Sequence, residues 1–123
     1  MDEKIIAVAA SFFPIRLIAH TPNNIEMEIV VTNNTDEIYW IECDVELPDS
    51  ISLAQDKKLL KGRTRIGIAK PKSKVFKRVK VYGDTNTYPD LYKIKLTAYG
   101  FNQESVIKTN ATNIIKLRCE RLE

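Results

Sequence analysis

Three carboxylates are the residues whose types and spacing come closest to a chemical site. Glu42, Asp44 and Glu46 recur at every second position, so on a strand they share one face. Carboxylates grouped in this way could ligate calcium or act as acid and base in hydrolysis. Lys93 and Lys95 are predicted on the strand that pairs with them, which favours a structural role. We therefore predict no metal site and no catalytic acid on this face.

The other residues capable of catalysis or metal binding are isolated. His20 is the single histidine, and Cys43 and Cys119 are too far apart for a Cys-x-x-Cys motif. Gly62-Arg63-Thr64 lacks the glycines and lysine of a phosphate-binding loop, and no hydrolase or zinc-protease motif occurs. We expect a protein that is not an enzyme and has no catalytic or cofactor-binding residues. We also expect no cofactor, no metal and no small-molecule substrate.

Charge is segregated along the chain, although the net charge is only +3. Residues 23–56 contain nine acidic and no basic residues, and residues 57–80 contain eleven basic and no acidic residues. Eight basic residues have no predicted acidic partner, and they could contact nucleic acid or another polyanion. We prefer a solubilising surface that protects edge strands, because only Phe76 and Tyr82 supply aromatic rings nearby. The eight residues are Lys57, Lys58, Lys61, Arg63, Arg65, Lys70, Lys72 and Lys74.

Short alternating strands are the elements that must position these residues. Apolar and polar residues alternate with period two between clusters of turn residues, and helical periodicity is weak. The pattern predicts strands at residues 4–13, 15–20, 25–32, 37–47, 75–82, 91–99 and 106–120, the last bulged near 110–113. Between them, residues 51–74 are predicted to be irregular, with short extended pieces at 51–54 and 65–69 and turns at Gly62 and Lys70-Pro71. About seven strands at this spacing predict a single antiparallel β-sandwich domain over residues 1–123.

Four segments carry a family resemblance: VVTNNT at 30–35, VELP at 45–48, a predicted strand from Pro71 to Val81, and DLYKIKL at 90–96. Over residues 25–100 the chain resembles the immunoglobulin-like domains of the CARDB type, a cell-adhesion-related module common in archaea and bacteria. It is also similar to domains that accompany sugar-binding modules in some bacterial glycosidases. The resemblance implies a binding or spacer module without catalytic residues. Tyr92 resembles the corner tyrosine, whose hydroxyl bonds to the backbone.

Charge complementarity supports this topology. The resemblance implies that predicted strand 25–32 pairs with residues 75–82 and predicted strand 37–47 with residues 91–99. The glutamates of strand 25–32 would then oppose Arg78 and Lys80, and the carboxylates of strand 37–47 would oppose the lysines of strand 91–99. Opposite charges across paired strands each contribute roughly 0.2–1 kcal/mol.

Trp40 is the candidate for an interaction surface. If predicted strand 37–47 keeps its alternation, Ile38 and Trp40 face outward beside Thr97 and Tyr99, and Ile38, Trp40 and Tyr99 form an apolar interface. A one-residue bulge near Ile41 would instead turn Trp40 into the core. We predict a protein-interaction or scaffold domain whose partner is another protein or a second copy. The alternative is nucleic-acid or polyanion binding through residues 57–74.

The N-terminal apolar stretch does not fit a secretion signal. Pro14 and Arg16 interrupt residues 5–19, and no apolar run reaches the roughly 20 residues of a membrane span. We therefore predict a cytoplasmic protein without a membrane span, in which both cysteines are free thiols.

Overall fold

The computed structural model describes residues 5–122, and these residues form two β-sheets without a helix. The strands follow one another as β1 (Ile6–Phe13), β2 (Arg16–Ile18), β3 (Asn23–Asn33), β4 (Tyr39–Glu46), β5 (Lys61–Ala69), β6 (Lys74–Gly83), β7 (Asp90–Phe101) and β8 (Ile107–Glu120). The prediction of an all-β fold is confirmed. The described strands number eight, against the seven or so that we predicted.

The two sheets divide the strands in the order β1-β3-β6 and β2-β8-β7-β4-β5. All pairs are antiparallel except β2 with β8, which is parallel. Pro14 lies between β1 and β2, where the chain leaves the first sheet and joins the second. The predicted interruption of the first strand at this proline is confirmed, since proline cannot donate to a strand ladder.

A single apolar core lies between the sheets. Alternate residues of β3, from Ile25 to Val31, are buried against alternate residues of β4 and β7. The period-two burial follows from strand geometry, in which successive side chains point to opposite faces. Both inner faces therefore contribute to one hydrophobic cluster, as in a β-sandwich.

β5 differs from the sequence prediction. We expected an irregular segment with a turn at Gly62, but residues 61–69 form one continuous strand and Gly62 lies within it. Alternation there is weak because only Ile66 and Ala69 are buried. The strand is supported instead by its pairing with β4, where bases of β5 oppose acids of β4.

The β7–β8 hairpin is also longer than predicted. We placed Gly100 in the connection, but β7 continues through it to Phe101. A Cβ at Gly100 would lie 2.8 Å from the Cγ2 atom of Thr109, so the close approach of the two strands requires glycine here. The register irregularity falls between Gly100 and Phe101, where β8 steps from Thr109 to Ile107, and not at residues 110–113 as we predicted.

Candidate functional site

Trp40 points away from the core, on the outer face of the five-stranded sheet. Its side chain is 41% exposed, whereas its neighbours Tyr39 and Ile41 are buried. A bulge does occur beside Ile41, but β5 carries it: Ile41 pairs with Gly67 and Glu42 with Arg65. The extra residue is therefore in β5, and β4 keeps the alternation that sends Trp40 outward.

Four apolar side chains line up across neighbouring strands at this end of the sheet. In register they are Ile68 of β5, Trp40 of β4, Phe101 of β7 and Ile107 of β8, and we call them the apolar row. Ile68 is 57% exposed and Ile107 is 49% exposed, while Phe101 is partly buried. Ile38, also exposed, precedes β4 beside the row.

An open groove of about 490 Å³ is lined by three members of the apolar row, Ile68, Trp40 and Phe101, together with Ile38. Arg65 and Glu42 line it on one side, and the hairpin residues Asn102, Gln103 and Ser105 line it on the other. The guanidinium of Arg65 lies 5.8 Å from the centre of the Trp40 ring, a cation–π distance. The site thus combines a broad apolar floor with polar walls, the usual composition of a binding groove.

The predicted patch is brought together only in part. The structure places Ile38 and Trp40 side by side, but Tyr99 pairs with Glu42, and the residue opposite Trp40 is Phe101. Our expectation that Thr97 and Tyr99 flank Trp40 was wrong, because the residue opposite Trp40 lies two positions beyond Tyr99 along β7.

Sequence reasoning missed Ile68, Phe101 and Ile107. Phe101 continues the outward alternation of β7 beyond Tyr99, and that signal was available. Because the predicted strand ended at Tyr99, Phe101 was left out of it, and the bulge in β5 interrupts the alternation that would have identified Ile68.

A charged cluster occupies the same face next to the apolar row. Arg63 donates to both carboxylate oxygens of Asp44, from Nε at 2.6 Å and from Nη2 at 3.0 Å, and its Nη1 lies 3.9 Å from Glu42. Its guanidinium also stacks 4.8 Å from the centre of the Tyr99 ring. The hydrogen bonds from Arg63 hold the pKa of Asp44 below its usual range.

Two of the eight basic candidates therefore have acidic partners after all. Arg63 pairs with Asp44, and Lys61 lies 3.6 Å from Glu46. Our expectation that these bases are unpaired was wrong because β5 was not recognised as the strand next to β4. Of the lysines expected opposite the carboxylates, Lys95 lies 3.9 Å from Glu46, whereas Lys93 pairs with Lys116 of β8.

The remaining basic candidates do not gather on one surface. Lys57 and Lys58 precede β5, whereas Lys70 and Lys72 lie between β5 and β6 and Lys74 is the first residue of β6. Nine residues of strand separate the two groups, a distance of roughly 25 Å. Arg65 lies between them in the groove, over Trp40.

The residues considered for catalysis stay apart. Within residues 5–122, no three side chains of His, Cys, Asp or Glu are grouped so that they could hold a metal ion. Cys43 and Cys119 are buried and unbonded, and burial raises the pKa of the Cys43 thiol to about 12. His20 lies at a turn, where a ring nitrogen is 3.4 Å from the carbonyl oxygen of Thr85.

Comparison with known proteins identifies a fold and no family. No family model matches the chain, and no curated protein matches it. Among solved structures it is similar to the sporulation control protein Spo0M of Bacillus subtilis, with a TM-score of 0.53 and 7% identity. The match covers 98% of this chain and 51% of Spo0M, so the chain spans about half the length of that protein. At this identity the likeness supports the two-sheet β fold alone.

No membrane-crossing helix occurs in the part of the chain that the structure describes.

Proposed function

We propose that this chain is a non-enzymatic protein-interaction or scaffold domain that binds its partner through the apolar row. The observation that carries the proposal is the row itself: four apolar side chains in register across four strands, with an open groove beside them. A cluster of ion pairs adjoins the row on β4 and β5. Aromatic side chains at the centre of a patch with a polar border are typical of interface hot spots.

We further propose that the sandwich has immunoglobulin-like topology. The pairing of β3 with β6 and of β4 with β7 agrees with that topology. The hydroxyl of Tyr92 donates to the backbone oxygen of Tyr88, as the corner tyrosine of such domains does. The CARDB resemblance and a cytoplasmic location remain predictions that fit a binding module.

The face of the sheet suits a partner better than its edge. β5 is the edge strand beside the groove, and it carries a bulge and the exposed Lys61. Bulges and edge lysines deter the addition of another strand. We therefore expect a partner to pack side chains onto Trp40 and Ile68, without extending the β-sheet.

Site-specific photo-crosslinking in the native cell tests the proposed function. A photoreactive phenylalanine analogue replaces Ile68 in the row or, as a control, Phe76, which is 64% exposed on the three-stranded sheet. We expect a discrete protein adduct from position 68 that Trp40→Ala abolishes, and no such adduct from position 76. Identical adducts from both positions, or none from position 68, would contradict the proposal.

Polyanion binding through residues 57–74 is the alternative. The observation in its favour is that Lys70, Lys72 and Lys74 follow one another through the β5–β6 turn and into the start of β6. Binding of this kind to single-stranded or duplex nucleic acid would weaken steeply as salt rises. Titration of a fluorescent oligonucleotide at two salt concentrations distinguishes the alternatives. We expect no salt-sensitive binding at physiological salt, and a steep salt slope that the substitution of the three lysines removes would favour the alternative.

A further inference from the structure

We propose that the outer edge of β8 binds an extended acidic segment of a partner protein, which joins the larger sheet as a further strand. This edge is on the opposite side of the sheet from β5. It is a second binding site, and it does not depend on the apolar row. Two independent observations carry the inference: a row of unpaired backbone groups, and a group of basic side chains without acidic partners at one end of that row.

Much of the outer edge of β8 has no strand to pair with. On this side β2 covers only three residues, from Arg118 to Glu120. The backbone nitrogen of Ala19 donates to the oxygen of Glu120 at 2.8 Å, so the backbone of Glu120 points to the outer side. Backbone groups alternate in direction along a strand, so every second residue before Glu120 presents its N–H and C=O to the same side. Those that no described strand covers form a row roughly 20 Å long, at Asn110, Thr112, Ile114 and Lys116.

The edge of β8 lacks the features that protect the other edges of the two sheets. β5 has a bulge and β6 carries Lys74, Lys77 and Lys80, while β1 ends immediately before Pro14. Bulges, lysines and prolines all deter the addition of a strand. Residues 109–115 of β8 contain no charged residue and no proline, and they pair with β7 without a bulge. Among the described edges, β8 is therefore the one suited to accept a strand.

An open hollow borders this edge and indicates which side chains the added strand would carry. The hollow has a volume of about 250 Å³ and lies between residues 5–8 and residues 110–113. Asn113 bridges it, because its amide donates to the carbonyl oxygen of Val8 at 2.9 Å. Ala111 and Ile115 pack against the core on the inner side, and Ile114 is 56% exposed on the outer face. A segment with apolar side chains at alternate positions would cover these residues.

Basic side chains oppose one another at the end of the row nearest β2. Lys93 lies directly opposite Lys116 across the β7–β8 pair, and Arg16 lies opposite Arg118 across the β2–β8 pair. Like charges in directly opposite positions destabilise a sheet. Arg16 has an ion pair with Glu120 at 3.0 Å. Within residues 5–122, Lys93, Lys116 and Arg118 form no ion pair, so this part of the sheet carries uncompensated positive charge.

The position of these bases defines the charge of the partner segment. A strand added to β8 would continue the line of β2, so its side chain opposite Lys116 would also lie near Arg118 and Arg16. A carboxylate at that point would meet three bases, with Cβ atoms roughly 5–8 Å apart. A second copy of β8 would not provide it, because residues 106–117 contain two lysines and no acid. Charge complementarity therefore favours an acidic segment of a different protein.

The first test titrates the purified full chain with a synthetic peptide of about nine residues, in which valine and threonine alternate between a pair of glutamates at each end. The matched control peptide carries lysines in place of the glutamates. We expect the acidic peptide to bind at least about 10-fold more tightly than the control. Hydrogen exchange followed by NMR should show that it protects the four outward amides of β8. These amides belong to Asn110, Thr112, Ile114 and Lys116.

Substitutions in β8 test the two parts of the proposal separately. Thr112→Pro removes an outward N–H without removing a hydrogen bond to β7, and it should weaken peptide binding at least about 10-fold. Thr112→Val keeps that N–H and should bind as the unmodified chain does. Lys116→Glu should reverse the preference in favour of the lysine peptide, whereas Lys77→Glu, on the smaller sheet, should not change it. Circular dichroism and the thermal midpoint verify that each variant is folded.

Each contrary outcome overturns a stated part of the proposal. No binding at about 1 mM peptide, or binding that leaves the four amides unprotected, overturns strand addition at β8. Equal affinity for the two peptides overturns the acidic partner. A purified chain that dimerises in sedimentation, and that Thr112→Pro converts to a monomer, would show that a second copy occupies the edge. The crosslink from position 68 reports on the apolar row separately, so the proposed function stands or fails independently.

Discussion

The hydroxyl of Tyr92 makes the hydrogen bond that the sequence predicted. It donates to the carbonyl oxygen of Tyr88 at 2.5 Å, and the side chain is buried at the start of β7. Burial raises the pKa of Tyr92, which keeps the hydroxyl protonated and able to donate. The prediction succeeded because the tyrosine corner depends on local chain geometry within five residues.

We expect Tyr92→Phe to destabilise the protein by roughly 0.5–1.5 kcal/mol, the net contribution of such a hydrogen bond. Chemical denaturation of the folded chain provides the measurement. Tyr88→Phe is the matched control, because it keeps both the accepting carbonyl and the ring that packs edge-on against Tyr92 at 6.3 Å. Equal stability of Tyr92→Phe and the unmodified chain would mean that the hydrogen bond contributes nothing.

Asn33 has a structural role that composition alone concealed. Asn33 falls just outside the predicted strand 25–32, yet it is fully buried at the end of β3. Its amide donates to the backbone oxygens of Glu37, Ala69 and Lys70, and its side-chain oxygen accepts from Thr35. Every second residue from Ile25 to Val31 faces inward, and Asn33 is the next position in this series. The alternation of the strand was therefore the sequence signal that Asn33 is buried.

At the scale of strands, β4 was predicted correctly and β5 was not. The alternation of acids in β4 fixes its two faces without reference to the rest of the chain. β5 has a bulge at Ile66 and a positive φ of 143° at Gly67, so its apolar residues break the period of two. A strand is hard to predict from sequence when it is stabilised mainly by pairing with its neighbour and when a bulge interrupts its alternation of apolar and polar residues.

The ion pairs between β4 and β5 should make the stability of the protein depend on pH in the acidic range. Hydrogen bonds from Arg63 lower the pKa of Asp44 in the folded state, so the unfolded state binds a proton more readily. The stabilisation is therefore present above the ordinary aspartate pKa of about 3.9 and is lost as pH falls through the lower folded value.

Denaturation between pH 2 and 7 measures this dependence. We expect Asp44→Asn to lower stability at pH 7 and to flatten the acid limb of the profile relative to the unmodified chain. Asp49→Asn is the matched control, because Asp49 lies outside the cluster in the loop after β4 and has no ion pair among residues 5–122. Parallel acid limbs for Asp44→Asn and the unmodified chain would show that this carboxylate does not contribute.

Across the whole molecule, two predicted strand pairs, β3 with β6 and β4 with β7, occur in the structure, but the pairing of β5 with β4 and the register of β4 with β7 were missed. Glu26 pairs with Lys80 and Glu28 with Arg78, so the strand pairing that the resemblance implied brings opposite charges together. In the β4–β7 pair, Trp40 meets Phe101, two residues beyond the predicted Tyr99. A shift of two residues preserves both faces of a strand, so burial patterns cannot detect it. This is why the sequence predicted that Ile38 and Trp40 share a surface but missed the rest of the row.

The order of strands in the larger sheet keeps the two cysteines too far apart to form a disulfide with each other. Cys43 lies in β4 and Cys119 in β8, and β7 separates these strands. Strands two apart in a sheet are roughly 9–10 Å apart, whereas a disulfide requires Cα atoms within about 7 Å. We therefore expect the unreduced protein to show two thiols when unfolded, and Cys43→Ala to show one.

In the folded protein both thiols should react slowly with a thiol reagent. Burial raises the pKa of both, so little of the reactive thiolate forms, and the reagent must wait for local opening of the sheet. Cys119 should react first, because β8 pairs on its outer side with only the three-residue β2. By contrast, β4 pairs with β5 from Tyr39 to Glu46 and with β7 from Trp40 to Glu46. Faster reaction of Cys43, or no thiol after unfolding without reductant, would contradict this order of strands.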